Sequence, residues 1–199
     1  MKRYLHALAM AQSMFCAIPS PFRVWDEEAR PKMLLFLPGI GLEIGLLWAV
    51  LGWLCALIQL PALLAGVALC AFPYVVTGFL HLDGFLDVVD AVRSWRDLDR
   101  RREILKDSHV GAFAVIACGA YLLLTAGLFS ECTAAQGLGL TAAFVLSRSM
   151  SAYAMVALPQ AKKQGMLADN ARNADHHRVR LASWGWFAAA AVAAVCGLG

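Results

Sequence analysis

Apolar residues in this chain come in long blocks rather than at a helix or strand period. Met33 to Leu57 is almost continuously apolar, long enough to cross a hydrocarbon core that takes about 20 such residues. Gln59 to Pro61 predicts a tight reversal, and a second block, Ala62 to about Leu80, returns with Pro73 as its expected kink. Ala112 to Phe129 and Gln136 to Leu158 form a third and a fourth. The fifth, Ser183 to Gly199, holds 17 residues and reaches only the short end of spanning length. The pattern predicts an all-α, polytopic integral membrane protein with about five apolar spans, organised as a single membrane domain over residues 1–199.

Polar stretches punctuate the blocks. Met1 to Ile18 is broken by His6, Gln12 and Ser13 and has no cleavage box, so it is expected to remain as an amphipathic helix at the membrane surface. The 1–32 segment then ends in a linker that Pro19, Pro21 and Pro31 keep from forming one helix. Residues 81–111 form an acidic and basic segment, and 159–182 a basic loop.

Composition agrees with the blocks: 60% of the 199 residues are hydrophobic, and mean hydropathy is +0.63, well above a soluble domain. The net charge of +3 implies no nucleic-acid role, because the basic residues flank apolar spans, where they set orientation. Of the 17 lysines and arginines, only Arg148 lies inside a span, and the reversals at 58–61 and 130–135 contain none. By the positive-inside rule the N-terminus, the 81–111 segment and the 159–182 loop face the cytoplasm. The six cysteines show no metal-ligand spacing and read as small core hydrophobes.

Chemistry concentrates at His81 to Asp90. In a helix Asp83, Asp87 and Asp90 fall at i, i+4 and i+7, on one face and within about 10 Å along the axis. Like charges at that spacing repel, and a hard divalent cation such as Mg²⁺ relieves them. The competing reading is a solvated helix face at the membrane boundary. Zinc has too few ligands, since only His81 stands beside the aspartates. Residues 97–106 read as a solvated, charge-alternating helix, whereas Asp107, Ser108 and His109 place a carboxylate, a hydroxyl and an imidazole just before the third span. Within the spans, Gly41 and Gly45 repeat at the spacing that admits a neighbouring helix. Glu43 and Arg148 are costly there, with Glu43 or an aspartate of the triplet as the arginine's candidate partner.

The run Thr77-Gly78-Phe79-Leu80-His81-Leu82-Asp83-Gly84-Phe85-Leu86-Asp87-Val88-Val89-Asp90, followed by Glu103 to Phe113, resembles the signature of the adenosylcobinamide-GDP ribazoletransferase (cobalamin-5′-phosphate synthase) family. Leu37-Pro38-Gly39-Ile40-Gly41 with Gly45, and the Ser147-Arg148 pair, extend the resemblance over most of the chain. It implies an inner-membrane, Mg²⁺-dependent transferase that joins α-ribazole 5′-phosphate or α-ribazole to adenosylcobinamide-GDP and releases GMP. On that reading Asp83, Asp87 and Asp90 are metal ligands, and His81 and Asp90 are catalytic, Asp90 as a third ligand or as the base. Arg93, Lys106, Asp107, Ser108 and Arg148 contact the substrates. The partners are those small molecules and the bilayer, with a homo-oligomer allowed but not specified. Three departures stand out: Phe79 replaces the family's second glycine, Glu43 stands where the family is apolar, and the chain is expected to be truncated at its C-terminus relative to the family. Two alternatives remain open: a CDP-alcohol phosphotransferase-like enzyme, and an ion-coupled transporter lined by Glu43, Arg148 and the aspartates.

Overall fold

The computed structural model describes residues 1–20, 22, 24–107, 109–132, 134–160 and 165–198, and among them the regular structure is entirely helical. Helix α1 is Lys2–Phe15, and a short 3-10 stretch, Arg30–Phe36, leads into α2, Leu37–Leu57. Then come α3, Ala62–Val76; α4, Leu80–Arg93; α5, Leu98–Ile104; α6, Ala112–Ser130; α7, Ala134–Ala157; α8, Met166–Asn173; and α9, His176–Leu198. Four stretches are long and apolar enough to cross a membrane, Arg30–Leu57, Ala112–Ser130, Gly139–Ala157 and His176–Cys196, and α3 with α4 makes a fifth if that bent pair counts as one span. Four to five spans is therefore what the fold supports.

The chain gathers into two compact units. The first comprises Met1–Gln59 and Thr133–Gly199, where α7 packs between α2 and α9. Gly41 and Gly45 make the α2–α7 approach close. A Cβ on Gly41 would stand 2.6 Å from the Phe144 carbonyl oxygen, and one on Gly45 2.9 Å from that of Thr141. The Thr141 hydroxyl donates to the Gly45 carbonyl at 3.0 Å, so the contact is polar as well as tight. Trp48 meets Phe144 one turn away, ring centroids 5.8 Å apart, and Ala142, Val145 and Ala190 form the seam toward α9. The fifth apolar block was expected from Ser183. Its helix begins seven residues earlier, at His176, because the Asp175 carboxylate accepts from the Arg178 amide and starts the helix in the basic stretch. The basic loop also contains α8.

The second unit is Leu60–Cys132, built from α3 against α6, with α4 against α6 and α5 against α4. Gly66 permits the α3–α6 crossing, since a Cβ there would collide with the Ala126 carbonyl. Val115, Ile116, Leu123, Leu124 and Leu128 of α6 point away from the unit, an apolar surface suited to lipid.

Candidate active site

The site is built where α3 gives way to α4. Gly78 and Phe79 both take the left-handed conformation, φ 59° and 61°. The Phe79 amide reaches back to the Tyr74 carbonyl at 2.8 Å and the Gly78 amide to Val75 at 3.1 Å, the paired bonds of a Schellman stop. Thr77 is buried, and its hydroxyl donates to the Pro73 carbonyl at 2.7 Å. The axis turns by 94° here. Pro73 itself lies inside α3, so the sharp change of direction falls four residues past the proline that marked the expected kink.

Helix α4 then presents His81, Asp83, Asp87, Asp90 and Arg93 in order. Asp83 in the first turn and Arg93 in the last both suit the helix dipole. Phe85 fixes the helix's rotation by packing on Tyr121 of α6, ring centroids 5.5 Å apart. That rotation brings Asp87 and Asp90 into one small pocket, lined also by Leu86, Ile104, His109 and Val110. Asp83 is exposed and outside it. Among the described residues no three His, Cys, Asp or Glu side chains are gathered closely enough to hold a metal ion. The expected three-carboxylate cluster is thus not assembled, because each turn of helix lifts the next aspartate about 5 Å along the axis. A pair is assembled instead.

The far wall of the pocket comes from the loop before α6. Asp107 accepts the His109 amide at 3.0 Å, and the same oxygen lies 2.6 Å from the His109 ring Nδ1. The bond from that ring, and then the one from the amide, hold the Asp107 carboxyl below the usual carboxylate range. Sequence reasoning noted the imidazole at 109 without giving it a place in the site. The signal was the aspartate two residues before it. Ser108 lies outside the described residues. Lys106 and Arg93 are exposed and make no ion pair among the described residues, whereas Arg100–Glu103 and Arg102–Asp99 pair along α5, as a solvated face should. His81 sits half-buried in the first turn of α4.

Arg148 belongs to the other unit. It is only 8% exposed, its stem rests on Gly41, and among the described residues its guanidinium makes one hydrogen bond, a 3.4 Å contact with the neighbouring Ser147 hydroxyl. Its Nε is buried with no partner among the described residues. The expected pairing with Glu43 is not made: the Glu43 carboxylate accepts instead from Gln12 of α1 at 3.1 Å. Glu43 is therefore held by an amide, and Arg148 makes no ion pair among the described residues, a condition in which a buried guanidinium can take an anionic ligand.

The donor set at the pocket fits a hard divalent cation. Mg²⁺ is commonly held by one or two carboxylates and completes its shell with water and phosphate oxygens, and Asp87 with Asp90 provides that number. The Asp90 carboxylate accepts no hydrogen bond from the described residues, which leaves its oxygens for a ligand.

Comparison with known proteins adds the remaining information. A family model described as cobalamin-5-phosphate synthase matches residues 7–199. The adenosylcobinamide-GDP ribazoletransferase of Lachnoclostridium phytofermentans is 34% identical over 179 residues, covering 90% of this chain and 69% of the relative. That of Clostridium perfringens strain 13 is 44% identical over 131 residues, covering 65% of this chain and 52% of the relative. For Brevibacillus brevis the figures are 40% over 132 residues, 66% and 51%. The matched segment is thus about half the length of two of these relatives and about two thirds that of the first. No solved structure matches.

Proposed function

The chain belongs to the cobalamin-5-phosphate synthase family, and on that premise we propose that it joins adenosylcobinamide-GDP to α-ribazole 5′-phosphate, or to α-ribazole, with release of GMP. The observation that carries the reading is the convergence of Asp87 and Asp90 with His109 on one pocket, inside the matched segment. A ribose hydroxyl of the acceptor attacks the phosphorus on the cobinamide side of the pyrophosphate. The bond to the GMP phosphate breaks as the new ester forms.

Asp87 and Asp90 would hold Mg²⁺, with Asp83 the third candidate on the same helix. When bound, the ion would neutralise the pyrophosphate and the departing phosphate. The hydroxyl proton passes to a carboxylate or imidazole of α4, Asp90 or His81. Arg93 and Lys106, exposed and without ion pairs among the described residues, contact phosphate oxygens, and Asp107 and Ser108 are the further substrate contacts that the family resemblance implies. Arg148 supplies a planar guanidinium able to take a phosphate at two points. The enzyme resides in the inner membrane with its N-terminus and the 81–111 segment cytoplasmic, a reading supported by the distribution of positive residues.

The test is conversion of the two substrates, with GMP measured, by membranes containing only this chain. Wild type turns over, and Asp87→Asn lowers the rate by at least about 100-fold while inserting normally, the loss expected when metal-borne charge stabilisation is removed. Wild-type rates in Asp87→Asn would remove that residue from the site, and no turnover by the intact chain would sink the transferase reading.

A further inference from the structure

Gly111 immediately precedes α6, where Ser, Thr, Asp or Asn would satisfy one of the helix's unpaired amides. Its backbone gives no reason for a glycine: φ −79° and ψ 159° are extended values that any residue adopts. Space gives the reason. A Cβ at residue 111 would collide with the Asp90 carboxyl carbon and with both its oxygens. Gly84, elsewhere on the carboxylate helix, has nothing within 4 Å of its own missing Cβ, so close approach is not a general property of glycines here.

Asp90 lies in the last turn of α4, which packs on α6. Its carboxylate accepts no hydrogen bond from the described residues, so the orientation of that group rests on what it touches. The carboxylate lies against the bare α-carbon of Gly111. We propose that Gly111 is a positioning residue, whose missing side chain seats the Asp90 carboxylate at the entry to α6 and so aims it into the pocket it shares with Asp87. This rests on the reading in which that pair holds a divalent cation. It adds that the geometry of the pair is set from the 107–111 loop as well as from α4.

Gly111→Ala adds one methyl group without backbone strain, which makes it a clean probe. Mn²⁺ binding to the full chain purified in detergent is read by electron paramagnetic resonance, and the midpoint of thermal unfolding is recorded in parallel. Wild type binds Mn²⁺; Gly111→Ala binds it at least tenfold more weakly with unchanged helix content. Asp90→Gly binds as weakly, and adding Gly111→Ala to it lowers neither affinity nor midpoint further. Mn²⁺ affinity in Gly111→Ala within threefold of wild type overturns the proposal alone. So does an equal drop in midpoint with and without the Asp90 carboxylate, since the clash would then lie elsewhere. Absence of Mn²⁺ binding by wild type overturns the cation reading and the seat's purpose together.

Discussion

Phe79 occupies a conformation that disfavours its own side chain. At φ 61° a residue with a Cβ costs about 1–2 kcal/mol, and Phe79 is more than half exposed, so little packing within the chain offsets that cost. A glycine here, the residue expected from the family resemblance, would suit the backbone: the stop between α3 and α4 has two successive left-handed residues, and this chain supplies one as Gly78 and the other under strain. Phe79→Gly is expected to raise the stability of the purified protein by about 1 kcal/mol, less the entropy glycine loses on folding, with the gain read from thermal unfolding in detergent. A lower midpoint would mean that the aromatic ring makes contacts worth more than the strain. The sequence marked this position as a departure from the family pattern. What it could not show was the sign of φ at residue 79, because a glycine such as Gly78 marks a helix stop without specifying that the residue after it is left-handed too.

At the scale of elements, the carboxylate helix was legible because i, i+4, i+7 spacing is a property of the α-helix itself, and Asp83, Asp87 and Asp90 do lie on one helix. Which two of them share a pocket was not, since that depends on how Phe85 meets Tyr121 on α6. The α2–α7 pair was legible in Gly41 and Gly45, and its polar contents were half legible. Both Glu43 and Arg148 were recognised as costly, but Gln12 of α1 takes the carboxylate, a contact across 31 positions of sequence that no spacing rule anticipates. Arg148 is thus not there to neutralise Glu43. Arg148→Leu is expected to lower kcat/KM by roughly 10- to 100-fold, the worth of a charged hydrogen bond of about 1.5–3 kcal/mol, and adding Glu43→Leu is expected not to restore it. Kinetics and detergent stability of the single and double variants are the measurement, and recovery in the double variant would reinstate the ion pair.

For the whole molecule, the spans were readable as blocks of hydropathy, and the ends of those blocks were the weak point. The last helix starts at His176 because Asp175 caps it, so basic residues that looked like loop belong to its first turns and can extend toward the interface. A topology reporter fused within 130–135 is expected on the outer side and one within 159–165 on the cytoplasmic side; reversed labels would turn the pocket to the opposite face. The sharp bend after Val76 has a further consequence for the surrounding lipid. It leaves α3 with 15 residues, about 22 Å of helix, against a hydrocarbon thickness of about 30 Å. If α3 crosses by itself, rather than as one bent span with α4, that shortfall would be a hydrophobic mismatch, which a bilayer relieves by thinning locally at a fraction of a kcal/mol for each ångström. Acyl-chain length therefore becomes a control on stability: the unfolding midpoint should be higher in vesicles of 14-carbon phosphatidylcholine than in 22-carbon ones, and equal midpoints would mean that α3 does not feel the bilayer's thickness.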